Sequence, residues 1–287
     1  MKHKNIMSST LFGAAATVAV MGITTTVAMA KEPCDDFGEC KVIIEINATD
    51  GDIGFHFLVD GDDLVKVEVR NPDGKKIFKA DAKKELREQF MTETFVESAE
   101  PLCWDTGDPE DDVEDIVTLE EFLERWTPGT YVFKGKGDEG EKLTGETELT
   151  YLIPAAPSGL GFDGTKISWA VGVDLGNCAT EAELDDLVTD GVLPTHPKGV
   201  TVDAWEVVFE PDVDDGDPLG QLKFTIRVAG DIGTKAVTVP PEYLADLPDD
   251  TLAKIEVGAI GGEDNATFTE LFDICVNEVE GCGGDDD

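Results

Sequence analysis

Positive charge is scarce in this chain. Its 287 residues hold 22 lysines and arginines against 62 aspartates and glutamates, a formal net charge of −40. A field of that sign repels nucleic acid and anionic membranes, which are bound through basic patches. Histidine is scarcer still: of three, His56 and His196 are the two beyond the first 30 residues. Neither is accompanied by a G-x-S-x-G elbow, so a Ser–His–Asp arrangement lacks its usual setting. No C-x-x-C pair or Cys/His cluster is present, which argues against a cysteine-based zinc site. Gly281-Cys282-Gly283-Gly284 is a tail rather than the strand-to-helix turn that cradles phosphate.

Long apolar runs are also missing after the N-terminus. Residues 1–30 have the layout of a secretory leader: Lys2 and Lys4, a small-residue apolar stretch from Leu11 to Met21, then Ala28-Met29-Ala30. Thr24, Thr25 and Thr26 interrupt it before the roughly 20 apolar residues that a membrane span needs. The expectation is a periplasmic or extracellular protein without a membrane span, cleaved near Ala30. Cleavage removes two lysines and no acid, leaving 20 basic residues against 62 acidic ones.

All six cysteines, Cys34, Cys40, Cys103, Cys178, Cys275 and Cys282, lie beyond the leader. An even count in an oxidising compartment favours disulfides. Cys34–Cys40 and Cys275–Cys282 are the pairs close in sequence, and other connectivities stay open. Three cysteines fall on either side of the segment 154–160, whose Pro154 and Pro157 among small residues read as a linker. That division requires one bridge between halves or two free thiols.

The fold expected is all-β, with two sandwiches in tandem: 31–153, linker 154–160, 161–278, and an acidic tail 279–287. In the first half Val42, Ile44 and Ile46, and then Val65, Val67 and Val69, alternate with polar residues, the period of a half-buried strand. Asp50-Gly51-Asp52, Asp60-Gly61-Asp62 and Asn71-Pro72-Asp73-Gly74 read as turns. One short helix follows the capping box Thr118–Glu121, after an acidic stretch, 105–115. The second half repeats the strand pattern around an insertion, 172–199, with a helix after Thr180.

Particular stretches carry resemblances. Lys166-Ile167-Ser168-Trp169, Trp205-Glu206-Val207-Val208-Phe209, Thr238–Leu244 and Ile255–Ile260 make the second half similar to a fibronectin type III-like domain. They stand where that family has its second strand with a core tryptophan, its third strand and the strands before the last. The family's corner tyrosine would fall near Ala253 and is missing. The first half resembles exported bacterial proteins of unassigned function, through Ala48–His56, Asn71-Pro72-Asp73-Gly74 and Thr92–Pro101. Those resemblances imply an architecture and no activity.

Three functional readings follow. The leading one is a non-catalytic secreted binding or structural protein, whose partner is a protein or a glycan and whose oligomeric state is left open. The second is a carboxylate-dependent carbohydrate-active hydrolase, since Glu93 and Glu97 share one strand face; two solvent-facing acids are the simpler explanation of that spacing. The third is a calcium-stabilised scaffold, because Asp50, Asp52, Asp60, Asp62 and Asp63 place alternate carboxylates in turn-like segments. Asp212, Asp214, Asp215 and Asp217 do the same, and none of these runs has EF-hand spacing. Beyond calcium, no cofactor is expected.

Overall fold

Alternating residues build the first strands as the pattern requires. In β1 (Glu39–Asn47) Val42, Ile44 and Ile46 are buried, while Ile43, Glu45 and Asn47 face the polar side. β2 (Asp52–Arg70) pairs antiparallel with all of β1 and runs on for 19 residues. The turn expected at Asp60-Gly61-Asp62 is therefore a bulge inside one strand. The register slips between Asp60 and Leu64, and Asp63 takes a left-handed φ of 52°. The computed structural model describes residues 34–104, 106–107, 116–214 and 216–282. The leader, most of the acidic stretch 105–115, and the terminal Asp285-Asp286-Asp287 lie outside the described residues.

β3 (Lys76–Asp81) and β4 (Met91–Glu97) pair with successive parts of β2. Between them lies α1 (Lys84–Gln89), a six-residue helix additional to the single one expected in this half. The expected helix is α2 (Leu119–Arg125), with the Thr118/Glu121 box in place and Leu119, Phe122 and Leu123 buried. Such a cap contributes about 1 kcal/mol. The hairpin β5 (Gly129–Gly137) and β6 (Lys142–Leu149) continues the sheet from β2 and rolls back over the core. There the Asp36 N–H donates to Thr144 O (3.1 Å) and the Thr144 N–H donates to the Asp36 carboxylate (2.9 Å). Trp126 stacks on Phe55 with ring centres 3.9 Å apart.

In the second half β7 (Ser158–Phe162), β8 (Lys166–Ala170) and β11 (Ala236–Thr238) form a three-stranded sheet in the order β11-β8-β7. It packs on β9 (Val202–Pro211), β10 (Phe224–Ala229), β12 (Thr251–Gly261) and β13 (Ala266–Val276). Ile167 and Trp169 meet Trp205, Val207 and Phe209 in that core, as the strand pattern anticipates. The stretch Thr238–Leu244, matched to strands, holds β11 only to Thr238. Pro241 then opens the helix α4 (Pro241–Asp246), because proline's fixed φ suits a first helical turn and not a ladder.

The separation expected at 154–160 gives way to continuity. β1 pairs parallel with β13, so one ten-stranded sheet runs through both halves, and the described residues belong to one compact unit. Pro154 through Pro157 are buried; the hydroxyls of Thr267 and Thr269 donate to the carbonyls of Pro154 (2.7 Å) and Pro157 (2.8 Å). A segment so bonded is a packed seam rather than a linker. Asn265, with no exposed surface, accepts from the Ile44 N–H (2.8 Å) and donates to Thr150 O (2.9 Å) and Leu152 O (3.3 Å). The insertion, with its capped helix α3 (Glu181–Thr189), joins the first core through Leu175, Leu184 and Leu193.

The cysteines form three bridges, Cys34–Cys40, Cys103–Cys178 and Cys275–Cys282. Cys103–Cys178 links the halves, one of the two outcomes that the odd count allows. Cys282 ties down the start of the expected tail, where the Asp250 carboxylate also accepts from the N–H groups of Val279 (2.7 Å) and Gly281 (3.1 Å). No helix among the described residues is long and apolar enough to cross a membrane.

Candidate functional site

The polar face of β9, β12, β13, β1 and β2 collects carboxylates. Glu256 on β12 stands directly opposite Glu270 on β13, and β1 carries Glu45 opposite Gly54 of β2. Lys254 offsets part of this charge, reaching Glu210 (3.5 Å) and Glu270 (3.4 Å). Burial, then the charge of Glu100, Glu256, Glu97 and Glu206, pushes the Glu45 carboxyl up to about 7. Burial and Glu270 hold Glu256 at about 7 as well.

Two elements bring a histidine into this field. His56 lies on β2 two residues from Gly54 and is 2% exposed. Its Nε2 is 3.1 Å from the Glu100 Oε1, and Phe95 of β4 packs edge-on to its ring. Glu100 belongs to a strap, residues 98–103, that runs along β2 and is pinned at alternate positions. The Ser98 N–H donates to Phe55 O (3.0 Å), the Phe55 N–H to the Ser98 hydroxyl (3.0 Å), and the Cys103 N–H to Gly51 O (2.7 Å). The Cys103–Cys178 bridge fastens the strap's end.

One ligand atom each from Glu45, His56 and Glu100 lies within 4.8 Å of the other two. Gly54 makes this convergence possible. A Cβ there would stand 2.6 Å from His56 Nε2 and 2.8 Å from Glu100 Oε1, so any side chain would push the cluster apart. Two carboxylates and an imidazole suit a borderline divalent ion such as zinc or manganese, whereas calcium takes oxygen ligands.

The aspartates proposed from sequence stand elsewhere. Asp50 and Asp52 flank the turn at one end of the β1–β2 pairing. The Asn47 amide donates to Asp50 (2.9 Å), and burial followed by Glu100 and Asp50 raises Asp52 to about 6. Asp60, Asp62 and Asp63 lie at the other end, in the bulge, with Asp62 and Asp63 exposed. Eight residues of extended strand, about 26 Å, separate Asp52 from Asp60, so the two sets cannot share one ion. Glu93 and Glu97 do share a face, opposite Asp60 and His56 respectively. Asp217 caps a short helical turn by accepting from the Leu219 N–H (2.8 Å), and Asp215 lies outside the described residues. His196 is buried in the insertion, its Nδ1 accepting from the Lys198 N–H (3.2 Å).

Sequence reasoning weighed His56 as a lone catalytic base and passed over Glu45 and Glu100. A signal was present: the tight turn at Asp50-Gly51-Asp52 sets a hairpin register that puts Glu45 diagonal to His56 on one face. Glu100 carried none, because its placement depends on a non-local strap.

No protein-family model matches the sequence, and no curated protein matches it. Among solved structures, one that is similar is the tetra-tandem repeat in the extending region of a large adhesion protein, at 9% identity and a TM-score of 0.22. The alignment covers 81% of this chain and 48% of that one, so the chain spans about half the length of that structure.

Proposed function

We propose that this is an exported, non-catalytic binding or structural protein that holds a divalent metal ion at Glu45, His56 and Glu100. The convergence of those three side chains carries the reading. The raised Glu45 carboxyl supports it, because a cation placed there relieves both burial and the repulsion of four neighbouring acids. Three disulfides support an oxidising compartment and so the export reading. The three-against-four strand division after residue 157 is what leads us to keep the fibronectin type III-like resemblance.

Calorimetric titration of the full chain with zinc, manganese and calcium tests the proposal. One zinc or manganese site is expected, tightening from pH 5 to pH 8 as Glu45 gives up its proton, with calcium weaker. Glu45→Gln with Glu100→Gln should abolish it, and Gly54→Ala should weaken it without touching a ligand. Metal binding unchanged in the double variant would refute the assignment.

One observation favours a second reading: a carboxyl raised to about 7 among ionised acids is how a glycosidase acid is prepared. None of the grooves at Lys66, Tyr151 or Cys103 includes Glu45 in its lining, which ranks this reading second. Turnover of a glycan, lost in Glu45→Gln, would reverse the order.

A further inference from the structure

Lysine is scarce in the chain, yet strand register gathers it on one surface. Over residues 66–70 the strands lie in the order β3-β2-β5-β6. Lys66 stands opposite Asp81 on β3 and Lys136 on β5, and Lys136 opposite Lys142 on β6. The neighbouring row on the same face is Lys79, Glu68, Lys134 and Thr144. Three lysines thus form a line with one inter-strand step, about 4.8 Å, between successive residues. Like charges directly opposite one another destabilise a sheet, and in a chain with nearly three acids per base such a line is not the default arrangement.

The acids nearby leave much of this charge unanswered. Glu68, in the neighbouring row, is shared by Lys66 (3.5 Å), Arg70 (2.6 Å) and Lys76 (2.7 Å); Lys76 and then Arg70 hold its carboxyl down at about 2. Lys79 pairs with Asp81. Lys134, Lys136 and Lys142 are exposed and have no ion-pair partner among the described residues. With Lys66, Glu68, Gly135 and Leu143 they line a groove of about 630 Å³.

We infer that this groove binds a linear carboxylated polysaccharide, whose carboxylates pair with lysines of the row Lys66, Lys136 and Lys142. Charge complementarity selects an anion, and the regular row selects a repeating one. The lining contains no aromatic ring on which nucleobases could stack, and its cations are lysines rather than the arginine forks that favour phosphate. The groove lies beyond the Asp60–Asp63 bulge from His56, so this inference names a partner that the metal site does not. Its failure and the failure of metal binding are separately visible.

The test uses the full chain with immobilised polygalacturonate, neutral dextran and single-stranded DNA. Salt is kept at about 0.15 M, where a screening length of about 8 Å hides the distant acids. Binding to polygalacturonate alone is expected, weakened roughly tenfold or more in Lys136→Glu/Lys142→Glu. Urea unfolding checks that the variant is intact, and Lys136→Gln/Lys142→Gln replaces it if it is not. No binding by the wild type, equal binding by an intact variant, or preference for DNA would overturn the inference.

Discussion

Asn265→Leu is the most informative single change in the scaffold. The side chain sits just ahead of the point where β1 and β13 begin to pair, at Glu45 and Ala266. Its carbonyl extends that ladder by one bond to the Ile44 N–H, while its amide holds Thr150 and Leu152 from the seam. Leucine has nearly the same volume and makes none of these bonds. The Ile44 N–H and the Thr150 carbonyl then lose their partners inside the protein. Each orphaned buried group costs about 1–3 kcal/mol, so the loss should be about 3–5 kcal/mol. That is a large share of the roughly 5–15 kcal/mol that stabilises an ordinary domain. Urea unfolding measures the loss, and hydrogen exchange in β5 and β9 reports the two cores separately. Both cores should be destabilised together, because one sheet runs through them. A loss below about 1 kcal/mol, or destabilisation confined to one core, would refute the idea that the seam makes the halves one folding unit.

Two further outcomes follow from the same geometry. The Cys103–Cys178 bridge closes a sequence separation of 75 residues, worth about 4 kcal/mol in the chain-entropy model. The double alanine variant should lose 2–4 kcal/mol and also weaken metal binding, since the strap bearing Glu100 loses its fastening; unchanged metal affinity would show that the backbone pins suffice. The pH dependence has a definite sign. Folded Glu45 and Glu256 keep protons up to about 7, whereas unfolded glutamates release theirs near 4.3. The folded state therefore binds more protons in that window, and their contribution to stability falls as pH rises through it. In chelator, Glu45→Gln should be more stable than wild type at pH 8 and equal to it at pH 4, as denaturant titration at both values would reveal.

What could be read in the sequence was local. Val42, Ile44 and Ile46 announced an inward face, Thr118/Glu121 and Thr180/Glu183 announced helix starts, and both were found in place. The all-β class follows from such signals. The seam was misread because Pro154 and Pro157 carry the same composition whether they cross solvent or pack; what distinguishes the cases is Thr267 and Thr269, more than 100 residues away. Asp60-Gly61-Asp62 was misread for a related reason. Asp and Gly suit a turn and a bulge alike, and pairing of β2 on both of its edges selects the bulge.

Charge shows the same division between local and non-local information. A net of −40 argued against basic surfaces, and as an average it is correct. The lysines of the groove come from β2, β5 and β6, where each reads as one outward residue in an alternating strand. Only register turns them into a row, just as only register turns Glu45 and His56 into neighbours. Both clusters occupy the same strand β2, with His56 and Lys66 separated by ten residues and the bulge. Opposite charges so arranged along one strand could cancel if the sheet were flat and short. Holding them roughly 30 Å of strand apart keeps either cluster from neutralising the other. A cation for the one and an anion for the other is the arrangement that such a separation favours.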